Sequence, residues 1–503
     1  MLKKILNSAV YEILEETPLD FAKNLSSELK NNVFLKREDL QEVFSFKIRG
    51  AYNCLAQLSP SDRKKGVIAA SAGNHAQGVA FSAKKLGIQA TIVMPITTPS
   101  IKVNAVRYYG AQVLLHGDNY SEAAEYCLQV QKEKELVFIH PFDNEEVIAG
   151  QGTIGLEILK QAPRNLNAIF LPIGGGGLIA GVATLVKELR PDLKIIGVEP
   201  EDSDAMYQSL KSKKRVTLPE VGIFADGVAV KQVGALNFQL CEKYVDEIIL
   251  VSTDAICSAI KTIHKDTRSL VEPSGALAIA GAKKYLEEKQ VTGLNVVAIS
   301  SGANMNFERL SFIAERTRLG EKQEALYSIG LPETPGALRN LCTNWICDRN
   351  ITEFNYRKSS NQNANIFVGL GLTSERERFD FFHSLQDSEF KIEDLTDNNL
   401  AKTHVRYMIG SRTEPIPNEM LFHFQFPERP GALKDFLASL KVNWNISLFH
   451  YRSRGGDSGN VLVGLEVGED SEKVVIQQLE TLKYPFTVET QNPAFEFFLK
   501  GND

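Results

Sequence analysis

Ile173-Gly174-Gly175-Gly176-Gly177-Leu178 decides how the chain is read. Ahead of it, Asn167 to Ile173 is apolar and strand-length; behind it, a helix pattern runs through Leu189. Successive glycines at a strand-to-helix turn let the backbone wrap closely. The N–H groups of loop and helix start then converge on one anion, and a phosphate fits. No Lys-Ser/Thr follows, which excludes a P-loop. A second reading fits the same stretch loosely. Gly175-x-Gly177-x-x-Ala180, with Glu199 ending the next strand, matches a dinucleotide fingerprint, with Glu199 on a ribose hydroxyl.

Outward from this turn, strand and helix patterns alternate from Gly66 to about Gly320. Strands are expected at Val67–Ala70, Ala90–Met94, Val113–Leu115, Leu136–Ile139, Lys194–Val198, Glu247–Val251 and Val296–Ser300. Helices fall between them, two closed by Gly87 and Gly110. Apolar strands alternating with helices predict an α/β architecture, a parallel sheet covered on both faces, with sites beyond the carboxyl ends of strands. Two further strand ends carry chemistry. Ser71-Ala72-Gly73-Asn74-His75 offers helix-start amides to a carboxylate, and Asn74, which can donate and accept, suits the edge of a bound ring. His75 reads there as a packed or capping histidine. Ser300-Ser301-Gly302-Ala303-Asn304 places a hydroxyl where it can meet an uncharged pyridine-type nitrogen.

Ser45-Phe46-Lys47-Ile48-Arg49-Gly50 opens another helix, whose apolar face is Ile48, Ala51, Tyr52, Leu55 and Leu58. Ser45 is expected at the N-cap, which sets Lys47 in the first turn. The positive end of the helix dipole disfavours an ammonium there and favours a neutral or covalently engaged amine. The dinucleotide reading gives this lysine no use.

With 503 residues, 43% hydrophobic and 23% charged, the chain suits about three globular domains. A net charge of −6 argues against nucleic acid as a partner. Met1 to Pro18 lacks the apolar core of a signal peptide, and no apolar run is long enough for a membrane span, so a cytoplasmic protein is expected. Six scattered cysteines suit reduced, mostly buried thiols, and the eight histidines show no ligand spacing.

Taken together, Ser45-Phe46-Lys47-Ile48-Arg49-Gly50-Ala51, Ser71-Ala72-Gly73-Asn74-His75-Ala76-Gln77-Gly78, the glycine tetrad and Ser301-Gly302-Ala303-Asn304 resemble fold-type II pyridoxal-phosphate enzymes, and closely the threonine dehydratases. Ala225-Asp226-Gly227 and Val271-Glu272-Pro273-Ser274-Gly275 carry the resemblance across the catalytic region. It implies Lys47 as catalytic residue and covalent anchor of pyridoxal 5'-phosphate, with Phe46 and Asn74 beside the ring. It implies Gly174, Gly175, Gly176, Gly177 and Leu178 at the phosphate and Ser301 at the pyridine nitrogen. Ser71, Ala72, Gly73 and His75 would hold the substrate carboxylate. The implied catalytic domain spans 1–320, with a small domain of about 43–150 nested in the larger one. The implied reaction turns threonine into 2-oxobutanoate and ammonia, with serine a poorer substrate, as the first step of isoleucine biosynthesis. Serine racemases are similar, but they carry a second serine where this chain has Ala72, which speaks for one-sided elimination. Their cation site would need Glu199 and an aspartate six residues on; that position is Ala205, and Asp204 is one early, so no metal is assigned.

Beyond about Glu321 the pattern changes to an internal repeat. Leu331-Pro332-Glu333-Thr334-Pro335-Gly336-Ala337-Leu338 returns as Phe426-Pro427-Glu428-Arg429-Pro430-Gly431-Ala432-Leu433, an offset of 95 (427 − 332 = 95). Tyr356-Arg357 and Val368-Gly369-Leu370 return at the same offset as Tyr451-Arg452 and Val463-Gly464-Leu465. Two copies of one α+β unit follow, each read as βαββαβ. A polar linker, Asn398 to Asn418, is expected between them. These units resemble the ACT-like regulatory domains of biosynthetic threonine dehydratases, here at 326–397 and 419–493. The resemblance implies isoleucine as inhibitor, valine as its antagonist, and a homotetramer. Candidate effector contacts are Gly336, Tyr356, Gly431 and Tyr451; a plain oligomerisation role is the alternative. For the whole chain, a dinucleotide-dependent oxidoreductase and a non-catalytic amino-acid sensor stay open as readings of a different class.

Overall fold

A computed structural model describes residues 1–320, 324–332, 340–347, 349, 351–356, 363–386, 388, 390–407, 418–427, 444–452, 458–467, 472–482 and 484–499. The chain forms two units, Met1–Ile313 and Ala314–Asp503.

The first unit is α/β, with two sheets where sequence patterning suggests one. Its strands in chain order are β1 (Leu19–Phe21), β2 (Asn32–Arg37), β3 (Val67–Ala70), β4 (Ala90–Met94), β5 (Gln112–Leu115), β6 (Val137–Phe138), β7 (Leu166–Pro172), β8 (Lys194–Pro200), β9 (Glu247–Val251) and β10 (Asn295–Ser300). A small sheet has the order β5-β4-β3-β6, all parallel. The large sheet has the order β1-β2-β10-β7-β8-β9 and is parallel except for β1, which runs antiparallel along the edge strand's neighbour β2. β3, β4 and β10 are buried along their whole length, as strands covered on both faces must be. β1 and β2 lie outside the periodic region and were not legible from it.

The small sheet interrupts the large one in sequence, between β2 and β7. The helix Lys47–Ala56 follows β2 and packs on both the Asn74–Leu86 helix and the Glu145–Gln161 helix, so it stands where the two sheet systems meet. Its expected cap is corrected. The helix begins at Lys47 with Phe46 as N-cap and no side-chain cap bond. Ser45 instead forms a single antiparallel bridge with Gly302, and Phe46 N donates to Ser301 O at 3.1 Å. Adjacent strands β2 and β10 thus deliver the Lys47 and Ser301 segments side by side.

The second unit holds two four-stranded antiparallel sheets of the same design. β11 (Glu324–Pro332), β12 (Ile351–Tyr356), β13 (Asn363–Gly371) and β14 (Lys391–Asp394) have the order β12-β13-β11-β14. β15 (Glu419–Pro427), β16 (Asn445–Arg452), β17 (Ser458–Glu466) and β18 (Phe486–Val488) repeat it as β16-β17-β15-β18. The repeat offset holds even in the pairing register: Glu324 faces Gly371, and Glu419 faces Glu466. One face of each sheet carries its own helical layer. On the opposite faces, Leu326 and Phe367 of the first copy join Leu421 and Leu462 of the second in one apolar core, again counterparts by the offset. The segment expected as a polar linker is partly structural. Asn398 caps the helix Asn399–Thr403, and Leu400, Ala401 and Val405 are buried in that shared core. The Pro-Gly turns with Gly336 and Gly431 lie outside the described residues, and Tyr356 and Tyr451 are placed as strand positions of β12 and β16. Among the described residues, no helix is long and apolar enough to cross a membrane.

Candidate active site

The site forms where the carboxyl ends of β3, β7 and β10 converge, as open α/β sheets require. After β7, the glycine loop leads into the helix Gly177–Leu189, capped by Gly176 at φ +94°, a conformation suited to glycine. A Cβ on Gly175 would overlap the Phe142 ring, and one on Gly174 would reach Val228 Cα at 2.9 Å. The loop is held from the carbonyl side: Gly175 O accepts from Gly234 N at 3.1 Å and Asn237 Nδ2 at 2.8 Å. Its N–H groups and those of the first helical turn have no acceptor within the helix. A cradle with room for backbone alone, rimmed by free donors, fits a phosphate group.

Lys47 is half-buried. Its Nζ donates to Pro141 O at 2.8 Å and lies 5.4 Å from the centre of the Phe46 ring. Pro141 belongs to His140–Asp143, the segment whose Phe142 covers the glycine loop. Asn237 Nδ2 donates to Phe142 O as well as to Gly175 O, so one side chain ties the shelf under the lysine to the cradle. Asp143 in turn accepts from the amides of Ala235 and Leu236. Burial brings the Lys47 amine down from 10.5 to about 8, against the opposing pull of Glu272. Desolvation, rather than the helix dipole alone, makes this amine available in neutral form near physiological pH.

Asn74, first residue of its helix, bridges two segments: Nδ2 donates to Glu272 Oε1, at the start of the helix Pro273–Lys289, at 2.6 Å, and Oδ1 accepts from Asn304 Nδ2, in the loop after β10, at 2.7 Å. Ser301 is buried, and its hydroxyl donates to Ser274 O at 3.2 Å. Ser71 Oγ accepts from Gly73 N at 3.3 Å, closing the turn ahead of the helix. His75 turns away from this loop: its Nε2 meets Ile139 O at 2.9 Å, and burial lowers it to about 3, so it is a neutral packed histidine. Only the backbone of His75 remains for a substrate carboxylate.

The structure brings Phe46, Lys47, Asn74, the glycine loop and Ser301 into one region. Sequence reasoning missed Pro141, Phe142 and Asn237, whose parts depend on distant contacts, and quoted Asn304 without giving it a role. Glu272 carried a signal, an acidic residue directly before a helix-starting proline. Asp226 is paired at 2.7 Å with Lys102, which reaches from the Ser100–Tyr108 helix beside the small sheet, and at 3.3 Å with Arg309. Glu199 is fully buried and serves as a helix cap: it accepts from Met206 N at 2.9 Å and Tyr207 N at 2.8 Å, while burial raises it to about 8.

A glycine loop that fits an anion, a lysine amine lowered by burial and a helix-start side-chain amide on this double-sheet scaffold match a fold-type II pyridoxal-phosphate-dependent enzyme. The family of pyridoxal-phosphate dependent enzymes matches residues 10–302, and the C-terminal regulatory domain of threonine dehydratase matches residues 315–405 and 412–499. The biosynthetic L-threonine dehydratase of Burkholderia multivorans is 52% identical over 501 residues, covering 99% of each chain. That of Escherichia coli is 48% identical over 501 residues, covering 99% of this chain and 97% of the relative. Among solved structures, the processed form of threonine deaminase isoform 2 from Solanum lycopersicum is 49% identical with a TM-score of 0.62, over 63% of this chain and 87% of that one. The chain belongs to the biosynthetic threonine dehydratases, lyases that use pyridoxal phosphate.

Proposed function

We propose that this protein converts L-threonine to 2-oxobutanoate and ammonia, and L-serine more slowly, as the first step of isoleucine biosynthesis in the cytoplasm. Isoleucine inhibits and valine opposes it through the ACT-like units at 326–397 and 419–493, appended to a catalytic domain of residues 1–320 in a homotetramer. The observation that carries the catalytic part is the Lys47 amine, shifted to about 8 and set beside a loop that only glycines can form.

Gly174, Gly175, Gly176, Gly177 and Leu178 would hold the cofactor phosphate, Phe46 and Asn74 its ring, Ser301 its ring nitrogen and Lys47 its aldehyde carbon. When bound, the cofactor supplies an electron sink for the pair left at the substrate Cα. The Ser71 N–H is held by Val93 O, so the Ser71 hydroxyl and the amides of Ala72, Gly73 and His75 would orient the carboxylate, with the Cα–H bond toward Lys47. Lys47 Nζ takes the Cα proton as general base, a role its lowered pKa suits. Loss of that proton and of the β-hydroxyl as water leaves an enamine, which hydrolyses to the 2-oxo acid and ammonia. Ala72 offers no hydroxyl on the opposite face, which supports elimination over racemisation.

Oxo-acid formation from threonine, with and without isoleucine, tests the reading. A yellow protein whose absorption is bleached by borohydride, with turnover suppressed by isoleucine, is expected. Lys47→Ala turning over normally would refute it.

A further inference from the structure

Glu272 is a buried acid that the mechanism above leaves unused, 4% exposed and next to Asn74. It occupies the N-cap position of the helix Pro273–Lys289, yet its side chain makes no cap bond. Its Oε1 accepts instead from Asn74 Nδ2 at 2.6 Å and Ser274 Oγ at 2.9 Å. Glycines leave the room it occupies: a Cβ on Gly302 would lie 2.5 Å from Oε1, and one on Gly227 would overlap the Ser274 hydroxyl.

The hydrogen bonds around Asn74 have only one consistent polarity. Val43 O can only accept, so Asn304 must present Nδ2 to it, at 2.8 Å. The same Nδ2 donates to Asn74 Oδ1 at 2.7 Å, which fixes that atom as the acceptor end of the Asn74 amide. The nitrogen end therefore faces Glu272 and spends one hydrogen on Oε1. The second hydrogen remains for a ligand.

We propose that Glu272 and Asn304 are positioning residues that lock the Asn74 amide in one orientation, so that its second N–H is a donor to an oxygen on the cofactor ring. The proposal rests on the reading of Asn74 as a ring neighbour. Flipped, the amide would set its own oxygen against the ring oxygen and both neighbours would lose their bonds. The acid needs no charge for this task. Burial and the nearby Asp226 carboxylate push Glu272 upward, the Asn74 and Ser274 bonds and Lys102 pull against them, and Lys47 is the other cationic group that senses it.

Cofactor affinity and the pH midpoint of the holoenzyme's visible absorption test this without reference to turnover. Glu272→Ala and Asn304→Ala are each expected to weaken pyridoxal phosphate binding ~10-fold or more and to displace the midpoint. Glu272→Gln keeps an acceptor oxygen for Asn74, and its affinity and midpoint should stay within about 2-fold and a few tenths of a pH unit of wild type. Wild-type values in Asn304→Ala overturn the proposal, including where Glu272→Ala does not fold. Glu272→Gln as damaging as Glu272→Ala also overturns it, since charge would then matter rather than amide orientation. A wild-type protein with no cofactor band would instead overturn the cofactor reading beneath it.

Discussion

Lys47 shows how one side chain is set by its surroundings. Its amine, ordinarily at 10.5, lies near 8 because packed atoms replace water. Two outcomes follow for the cofactor-free protein. Only the neutral amine attacks an aldehyde, so the rate of cofactor loading, followed by absorption, should rise with pH and level off above about 8. The folded state also binds this proton more weakly than the unfolded chain, a cost present below about 8 that fades as pH climbs to 10.5. Lys47→Met should therefore stabilise the cofactor-free protein at neutral pH by on the order of 1–2 kcal/mol, and much less at high pH, in denaturant titrations. At the cradle, Gly175→Ala drives a methyl into the Phe142 ring and should weaken cofactor binding ~10-fold or more, measured by equilibrium dialysis. The glycines and Lys47 were legible because tight turns and odd charges leave local marks. Asn237 and Pro141 left none, since a side-chain amide and a carbonyl gain their parts only from neighbours 62 and 94 positions away.

At the scale of elements, the helix that starts at Lys47 is anchored by charge as well as by its apolar face. Arg49, fully buried, meets Glu38 at 2.7 Å and Glu157 at 2.6 Å, and Lys36 meets Glu157 at 2.6 Å. This joins β2, the lysine helix and the Glu145–Gln161 helix in one dry network. Burial pushes the Glu38 carboxyl up, but Arg49, with Thr17 and Lys36 beside it, outweighs burial and holds that carboxyl below the usual range. Replacing Arg49 by Met would strand the buried Glu38 carboxylate and leave Glu157 with Lys36 alone as its ion-pair partner, and should cost about 3–5 kcal/mol in equilibrium unfolding. Sequence periodicity located the helix but misassigned its cap, because Ser45 is drawn into a bridge with Gly302. The same limitation hid β1 and β2: an edge pair ahead of the alternating region, with only the short helix Lys23–Leu29 between its strands, falls outside the repeating pattern.

At the scale of the molecule, the two units divide the work: cofactor chemistry in the first, a duplicated antiparallel fold in the second. Removal of everything after Gly320 should leave deamination of threonine and abolish its inhibition by isoleucine, assayed as oxo-acid release; inhibition that survives would refute the regulatory reading. The duplication was plain from an ungapped offset, and the strands of both copies keep it in their pairing. How the copies join was not plain. Leu326, Phe367, Leu421 and Leu462 alternate with residues of the helix-covered faces, so periodicity shows two apolar faces without naming the partner of either.

By itself the sequence determined the α/β class, the glycine-rich strand-to-helix turn, the lysine at the start of a helix and the twofold tail, because each is written in a local pattern of glycines, charge or repetition. Only the tertiary structure decided that β1 runs antiparallel at the edge of the large sheet, that Glu199 caps a helix, and that Glu272 and Asn304 close on Asn74. Those outcomes depend on which distant segments displace water from one another, and no window along the chain carries that information.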